Sequence, residues 1–155
     1  GNLDTRLRKL DEGLYAGIVL AAAGLKRLGL SQRIRHEFNT DQMLPAAGQG
    51  ALGLEIRSNR ADLAQSLAFL AHQPTWLAVA AERAVSRAMG GSCSMPLAAH
   101  AQQQGERWVL RAAWGDPEVK RPLVRAQSEA VVHTLKEAEA LGLQVAQQLR
   151  QQGAH

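Results

Sequence analysis

The chain has 155 residues, which is room for one ordinary domain or two small ones and too little for a large multidomain enzyme. Apolar residues make up 46% and charged residues 21%, so a core can be buried and wholesale disorder is not expected. The net charge of +4 suits small anionic ligands as well as nucleic acid. Aromatic residues make up only 4%, too few for a protein that stacks bases, so no nucleic-acid partner is predicted.

The cysteines, histidines and apolar runs of the chain argue against disulfide-bonded, metal-binding and membrane proteins. Cys93 is the only cysteine, which excludes an intramolecular disulfide and a cysteine-based zinc site and predicts a reducing, cytoplasmic location. The five histidines show no metal-ligand spacing, so no metal is predicted. The longest apolar run, from Ile18 to Ala23, is far shorter than the roughly 20 residues of a membrane span, so no membrane partner is predicted.

The first third of the chain predicts an α/β unit. Asn2 can cap a helix whose Leu3, Leu7, Leu10 and Leu14 share one face. The run from Tyr15 to Ala22 predicts a short buried strand, and residues 25–30 predict a short helix after it.

The middle of the chain carries weaker signals. Residues 31–44 are polar and irregular, and Pro45 closes them. Partial alternation over residues 51–57 predicts a strand, and leucines at helical spacing predict a helix over residues 62–72.

Residues 73–155 predict a compact α+β domain that folds as an independent unit. A helix over 76–89 precedes three antiparallel strands at 97–103, 107–114 and 119–127, and a helix over 133–152 closes the unit. In that last helix Leu135, Ala138, Leu141, Val145 and Leu149 are predicted to face inward. The predicted core consists of Trp76, Val79, Val85, Leu97, Val109, Leu110, Leu123, Leu141 and Leu149.

Three features could carry chemistry. Cys93 lies in a loop of small residues, Gly90 to Pro96, and the residues alone allow either an inert loop cysteine or a reactive thiol. The arginines and lysines of residues 6–8 and 26–35 suit carboxylates or phosphates, but a solvated basic face is the alternative. The glycines at 48, 50 and 53 precede a predicted strand, so they do not form a dinucleotide fingerprint, although a backbone loop that donates N–H groups to an anion remains open.

Four stretches together resemble the porphobilinogen deaminase (hydroxymethylbilane synthase) family. They are GNLDTRLRKL at residues 1–10, LAAAGLKRLG at 20–29, LPAAGQGALG at 44–53, and AERA at 81–84 followed by GGSCSMP at 90–96. Their order also matches the family, and the α+β prediction for residues 73–155 fits the family's third domain.

The resemblance implies a transferase of tetrapyrrole, and so heme, biosynthesis. Such an enzyme joins four porphobilinogen molecules into hydroxymethylbilane, with release of ammonia, on a covalent dipyrromethane cofactor. By resemblance, Cys93 carries that cofactor through a thioether and Arg6 and Arg27 bind carboxylates of the cofactor and of the polypyrrole intermediates. Ala21, Gln49 and Gly50 fall where the family contacts cofactor or substrate.

The resemblance also implies a division of the chain. Residues 1–45 match the end of domain 2, an α/β fragment of a periplasmic-binding-protein-like domain, and residues 46–72 match a return segment of domain 1. Residues 73–155 match domain 3. The N-terminal half of the family enzyme, with its catalytic aspartate, has no counterpart here, so no catalytic residue is predicted and the chain alone is expected to be inactive. The missing half is a possible partner. A non-catalytic module that binds an anionic ligand or a protein is the alternative.

Overall fold

The computed structural model describes residues 2–92, 94–116, 118 and 120–154. The chain divides into two compact units, residues 1–38 and residues 39–155. The domain boundaries predicted after residues 45 and 72 stay predictions.

The first unit consists of two short helices and a turn. Helix α1 spans Leu3–Asp11, helix α2 spans Ala22–Arg27, and a 3₁₀ turn spans Ser31–Arg33. Asn2 caps α1 as predicted, because its Oδ1 accepts a hydrogen bond of 3.0 Å from the backbone N–H of Thr5. Among the described residues of this unit, only Leu7 and Leu25 are buried.

The predicted strand from Tyr15 to Ala22 is wrong. Those residues form bends and irregular backbone, and Leu14 before them is exposed. The described residues 2–38 contain no strand with which this segment could pair, and an unpaired strand leaves its N–H and C=O groups to water. Apolar composition alone therefore mispredicted the local structure.

The strand predicted over residues 51–57 is also wrong, again because no neighbouring strand pairs with it in the described residues. This segment is irregular and exposed along most of its length. The helix predicted after it is shorter than expected, since α3 spans Ala61–Leu67 and a 3₁₀ turn follows at Ala68–Leu70.

The predicted α+β fold of the C-terminal part is confirmed. Helix α4 spans Gln73–Ala88, the strands are β1 Leu97–Gln104, β2 Arg107–Trp114 and β3 Val124–Val131, and helix α5 spans Leu135–Gln151. The sheet is antiparallel in the order β1-β2-β3. Helix α4 packs against β1, and α5 packs against β2, β3 and α4.

The core lies between the sheet and the two helices. Leu110 pairs with Ala101 on one side and with Ser128 on the other, so these buried residues share the sheet face that the helices cover. Val85, Val145 and Leu149 are fully buried opposite that face. The helices lie close together at Gly142, where an added Cβ would lie 2.5 Å from Ala84 Cβ. Only a residue without a side chain fits there.

Two predicted core residues, and one residue predicted to face inward on α5, are exposed instead. Trp76 lies on the outer side of α4 with 57% of its surface exposed, because the buried face of that helix starts with Leu77. Leu135, at the start of α5, is exposed in the same way, whereas the other four residues predicted to face inward are buried. Leu123 is exposed because it precedes β3. Val79 and Leu97 are half-buried, and the remaining predicted core residues are buried.

The third strand starts five residues later than predicted. The carboxylate of Asp116 accepts hydrogen bonds from the backbone N–H groups of Glu118, Lys120 and Arg121, at 3.0–3.1 Å. Those donors are therefore unavailable to a strand ladder, and β3 begins only at Val124. Val119, the predicted first residue, lies outside the described residues.

Residues 39–48 pack onto the C-terminal sheet. The backbone N–H of Ala99 donates to the carbonyl of Pro45 at 3.1 Å. Arg111 on β2 forms an ion pair with Asp41 at 2.5 Å and donates to Thr40 Oγ1 at 2.8 Å. Residues 39–48 thus belong structurally with the α+β fold, although most of the segment has no regular secondary structure.

Candidate functional site

The segment around Cys93 is described only on its two sides, because Cys93 itself lies outside the described residues. Helix α4 ends at Ala88, and Gly90 and Gly91 follow with φ angles of +109° and +64°, a conformation that favours glycine. Ser92 Oγ and Ser94 Oγ are 2.6 Å apart. The side chains that flank Cys93 in the sequence are therefore small, as the sequence predicts. The attachment of the cofactor to Cys93 remains a prediction.

The two arginines assigned by resemblance both lie in the first unit. Arg6 is in the middle of α1 and Arg27 is the last residue of α2, and both are exposed. Within the part of the chain that the structure describes, neither guanidinium forms an ion pair or a side-chain hydrogen bond. Both are therefore available to an external anion.

The neighbouring cations of that unit are mostly occupied. Arg8 pairs with Glu12 at 2.7 Å, Lys26 with Glu37 at 2.6 Å, and Arg33 with Asp11 at 2.5 Å. Arg35 is exposed and, like Arg6 and Arg27, has no described ion-pair partner. Some cations of this unit are therefore paired with acids of the same unit, and others are not.

Ala21 occupies the N-cap position of α2. Its carbonyl accepts a hydrogen bond of 3.0 Å from the N–H of Gly24, and the residue is exposed. Backbone groups at this position are therefore accessible to a ligand, although α2 has only six residues.

Gln49 and Gly50 lie at the exposed tip of a double turn. The N–H of Gln49 donates to the carbonyl of Ala46 at 3.0 Å, and the N–H of Ala51 donates to the carbonyl of Gly48 at 3.2 Å. Gly48 and Gly50 have φ angles of +74° and +84°, which explains two of the glycines in this stretch. We call residues 46–51 the glycine turn.

A buried carboxylate holds the base of the glycine turn. Glu82 on α4 is only 5% exposed, and its Oε2 accepts from the N–H of Gly48 at 2.7 Å. Its Oε1 accepts from the N–H of Ala101 at 2.8 Å and lies 3.5 Å from His100 Nδ1. In the sequence Glu82 stood out only as part of the AERA motif, although a glutamate close to the apolar residues Ala81 and Val85 of a predicted helix was a visible signal.

A cavity of about 630 Å³ lies between residues 40–46 and the sheet, with Met95, Pro96, Leu123 and Arg125 among its lining residues. Gln49 and Gly50, the described site residues of the same unit, do not line it. In the described ranges, no group of three or more His, Cys, Asp or Glu side chains could hold a metal ion, and no helix is long and apolar enough to cross a membrane.

Two family models together match most of the chain. Residues 1–65 match "Porphobilinogen deaminase, dipyromethane cofactor binding domain", and residues 76–151 match "Porphobilinogen deaminase, C-terminal domain". A porphobilinogen deaminase of Albidiferax ferrireducens is 66% identical over 150 residues, which are 97% of this chain and 48% of that relative. One of Ralstonia nicotianae is 59% identical over the whole chain and 46% of its own length.

The chain belongs to the porphobilinogen deaminase family. This confirms the resemblance inferred from the four motifs. The chain spans about half the length of the curated relatives it matches. The first family model covers Arg6, Ala21, Arg27, Gln49 and Gly50. The second covers Glu82 and Cys93.

Proposed function

We propose that this chain is the C-terminal portion of a porphobilinogen deaminase, a cytoplasmic transferase that polymerises four porphobilinogens into hydroxymethylbilane and releases ammonia. The observation that carries this proposal is the match of both halves of the chain to the family, at 66% identity to one relative. Porphobilinogen and the polypyrrole intermediates are then its ligands. The N-terminal half is its partner, as a separate chain or as part of a longer one.

The cationic surface of the first unit supports a ligand that carries several carboxylates. Each pyrrole ring of such a ligand bears acetate and propionate groups, and a guanidinium binds a carboxylate through two parallel hydrogen bonds. Arg6 and Arg27 have no acid partner among the described residues, whereas Arg8, Lys26 and Arg33 do. The resemblance singles out Arg6 and Arg27, and their lack of an acid partner supports our assignment of carboxylate binding to these two residues. By the same resemblance we assign contacts with cofactor or substrate to Ala21, and in the second unit to Gln49 and Gly50, all of which are exposed.

We assign the covalent attachment of dipyrromethane to the Cys93 sulfur. The group supplies the primer on which the polymer grows. The residues Gly90, Gly91, Ser92 and Ser94 support this assignment because the small side chains next to Cys93 in the sequence suit a residue that carries a bulky substituent. A cysteine thiol is the side chain that can form a thioether, which suits this mode of attachment.

The N-terminal half supplies what this chain does not provide. We propose that it contributes the catalytic carboxylate and the remaining strands of domains 1 and 2, so that residues 1–45 complete a periplasmic-binding-protein-like domain. Leu52, Leu54 and Ile56 support this, since they alternate along the chain and are exposed, Leu52 to 86%. Such alternation is typical of a strand with one buried face, and an upstream sheet would cover it.

The test compares two proteins. One is the 155-residue chain alone, and the other is the same chain preceded by the N-terminal half of the Albidiferax relative, which we call the full-length enzyme. We expect hydroxymethylbilane synthesis and a covalent adduct, seen in the intact mass, only in the full-length enzyme. Cys93→Ser should remove the adduct and the activity while the fold is kept. A full-length enzyme without either adduct or product would contradict the proposal and favour a non-catalytic anion-binding or protein-binding module.

The arginine assignments have a matched control in the same helix. Arg6→Leu and Arg27→Leu should each lower kcat/KM of the full-length enzyme by tenfold or more, since a charged hydrogen bond contributes about 1.5–3 kcal/mol. Arg8→Leu removes a guanidinium that already pairs with Glu12 and should change kcat/KM little. Equal effects of the Arg6 and Arg8 changes would contradict the assignment.

A further inference from the structure

The carboxylate of Glu82 joins three parts of the second unit. It lies on α4, it accepts from Ala101 on β1 through Oε1, and it accepts from Gly48 in the glycine turn through Oε2. With 5% of its surface exposed it is one of only two buried polar or charged residues among those described. A charged group is seldom buried without partners, because the loss of hydration costs several kcal/mol. The position therefore calls for a reason other than packing.

We propose that Glu82 is a positioning residue that holds Gln49 and Gly50 at a fixed place relative to helix α4, the helix that leads in the sequence towards Cys93. The inference rests on the proposed function, because that function assigns contacts with cofactor or substrate to Gln49 and Gly50. Glu82 itself contacts neither ligand nor reacting atoms. It acts through the backbone of Gly48, the residue directly before Gln49.

Helix α4 connects the glycine turn with the segment that precedes Cys93 in the sequence. The bond of 2.7 Å to Gly48 holds the first residue of the turn that presents Gln49 and Gly50. From Glu82, α4 runs six residues further to Ala88, which is about 9 Å of rigid helix. Gly90 and Gly91 follow and lead to Cys93 in the sequence. One helix thus holds the glycine turn near its middle and leads at its end into the cofactor-bearing segment.

Both oxygens of the Glu82 carboxylate are needed to hold the glycine turn against β1. The two bonds come from two different backbone N–H groups, and a carboxylate offers two acceptors with no donor. A glutamine at this position has one acceptor and an NH₂ group, so one N–H would face another donor. The substitution Glu82→Gln therefore keeps the volume and removes one of the two bonds, and an unpaired buried donor is costly.

The test uses the full-length enzyme with Glu82→Gln, and Glu106→Gln as the matched control, since Glu106 is exposed in the turn between β1 and β2. We expect Glu82→Gln to lower kcat/KM about tenfold or more and to speed amide hydrogen exchange in residues 46–51. Glu106→Gln should change neither. Parental kinetics and parental exchange in Glu82→Gln would overturn the inference.

A double-mutant cycle separates positioning from general stability. If Glu82 acts through the glycine turn, Gln49→Ala combined with Glu82→Gln should show the loss of Gln49→Ala alone, within about twofold. If the two losses multiply in full, Glu82 does not act through Gln49 and the inference fails.

A second pair of variants applies if Glu82→Gln does not fold. Gly48→Ala disturbs the same turn, because its φ of +74° strains any other residue, whereas Gly105→Ala places the same strain at φ +62° in the β1–β2 turn. We expect a roughly fivefold loss of kcat/KM only in Gly48→Ala. Equal values for the two variants would overturn the inference. If the parental full-length enzyme makes no product, the proposed function fails, and exchange in residues 46–51 alone decides whether Glu82 holds the turn.

Discussion

The close approach of α4 and α5 predicts that Gly142→Ala destabilises the C-terminal fold. A Cβ at position 142 would lie 2.5 Å from Ala84 Cβ and would also meet the carbonyl oxygen of Ala81. Ordinary contacts begin near 3.4 Å, so the helices must separate by about 1 Å at the centre of their interface. Overpacking of this kind costs about 3 kcal/mol where backbone must move, and the better helix propensity of alanine returns about 1 kcal/mol. The net loss is about 2 kcal/mol.

Urea denaturation followed by tryptophan fluorescence measures this loss directly. All three tryptophans lie in the second unit, and Trp108 and Trp114 are buried, so their emission reports the unfolding of this unit. Gln144→Ala, at an exposed position of the same helix, should stay within about 0.5 kcal/mol of the parental chain. If Gly142→Ala were as stable as the parental chain, or more stable, propensity would outweigh the steric conflict and the packing argument would be refuted.

Three further changes test local features of the same unit. Thr134→Ala removes the capping box that Thr134 forms with Glu137 and should lower the free energy of unfolding by about 1 kcal/mol in urea. Ser128→Ala removes the acceptor for the Gln148 side chain, 2.9 Å away, and should cost a similar amount in the same assay. Hydrogen bonds from backbone N–H groups, first that of Glu118, lower the pKa of Asp116. Asp116 therefore stabilises the folded state fully above its unfolded pKa of about 3.9, and this stabilisation is lost as the pH falls through the lower folded pKa. The stability difference between parent and Asp116→Asn, measured in urea from pH 7 to pH 2, should therefore shrink below about pH 4.

The C-terminal fold was predictable because its helices and strands have clear local sequence patterns and pack against one another within the same unit. The strand at 107–114 matches the observed β2, and α4 and α5 differ from their predicted ends by three residues at most. Each helix finds its apolar partner within the same unit. By contrast, the strands predicted at 15–22 and 51–57 do not form, since apolar patterning indicates a strand only where a neighbouring strand is available.

The candidate site, like the fold, could be predicted from the sequence only in part. Motifs located Arg6, Arg27 and Cys93 in the sequence, but composition and spacing could not tell which cations have acid partners. That distinction depends on three-dimensional contacts such as the ion pair of Arg33 with Asp11, whose residues are far apart in the chain. The contacts of Glu82 were hidden for a similar reason, because its two backbone donors come from other segments.

The contacts along the outer side of β1 have a consequence for self-association. Ala99 and Ala101 point their N–H groups away from β2, and these are the donors through which a foreign strand would add to the sheet. Pro45 accepts the first and Glu82 the second, so neither is free. An incoming strand would have to displace both acceptors at once. The sheet therefore stays at three strands on this side, and the edge is protected from the strand-to-strand pairing that leads to fibrils.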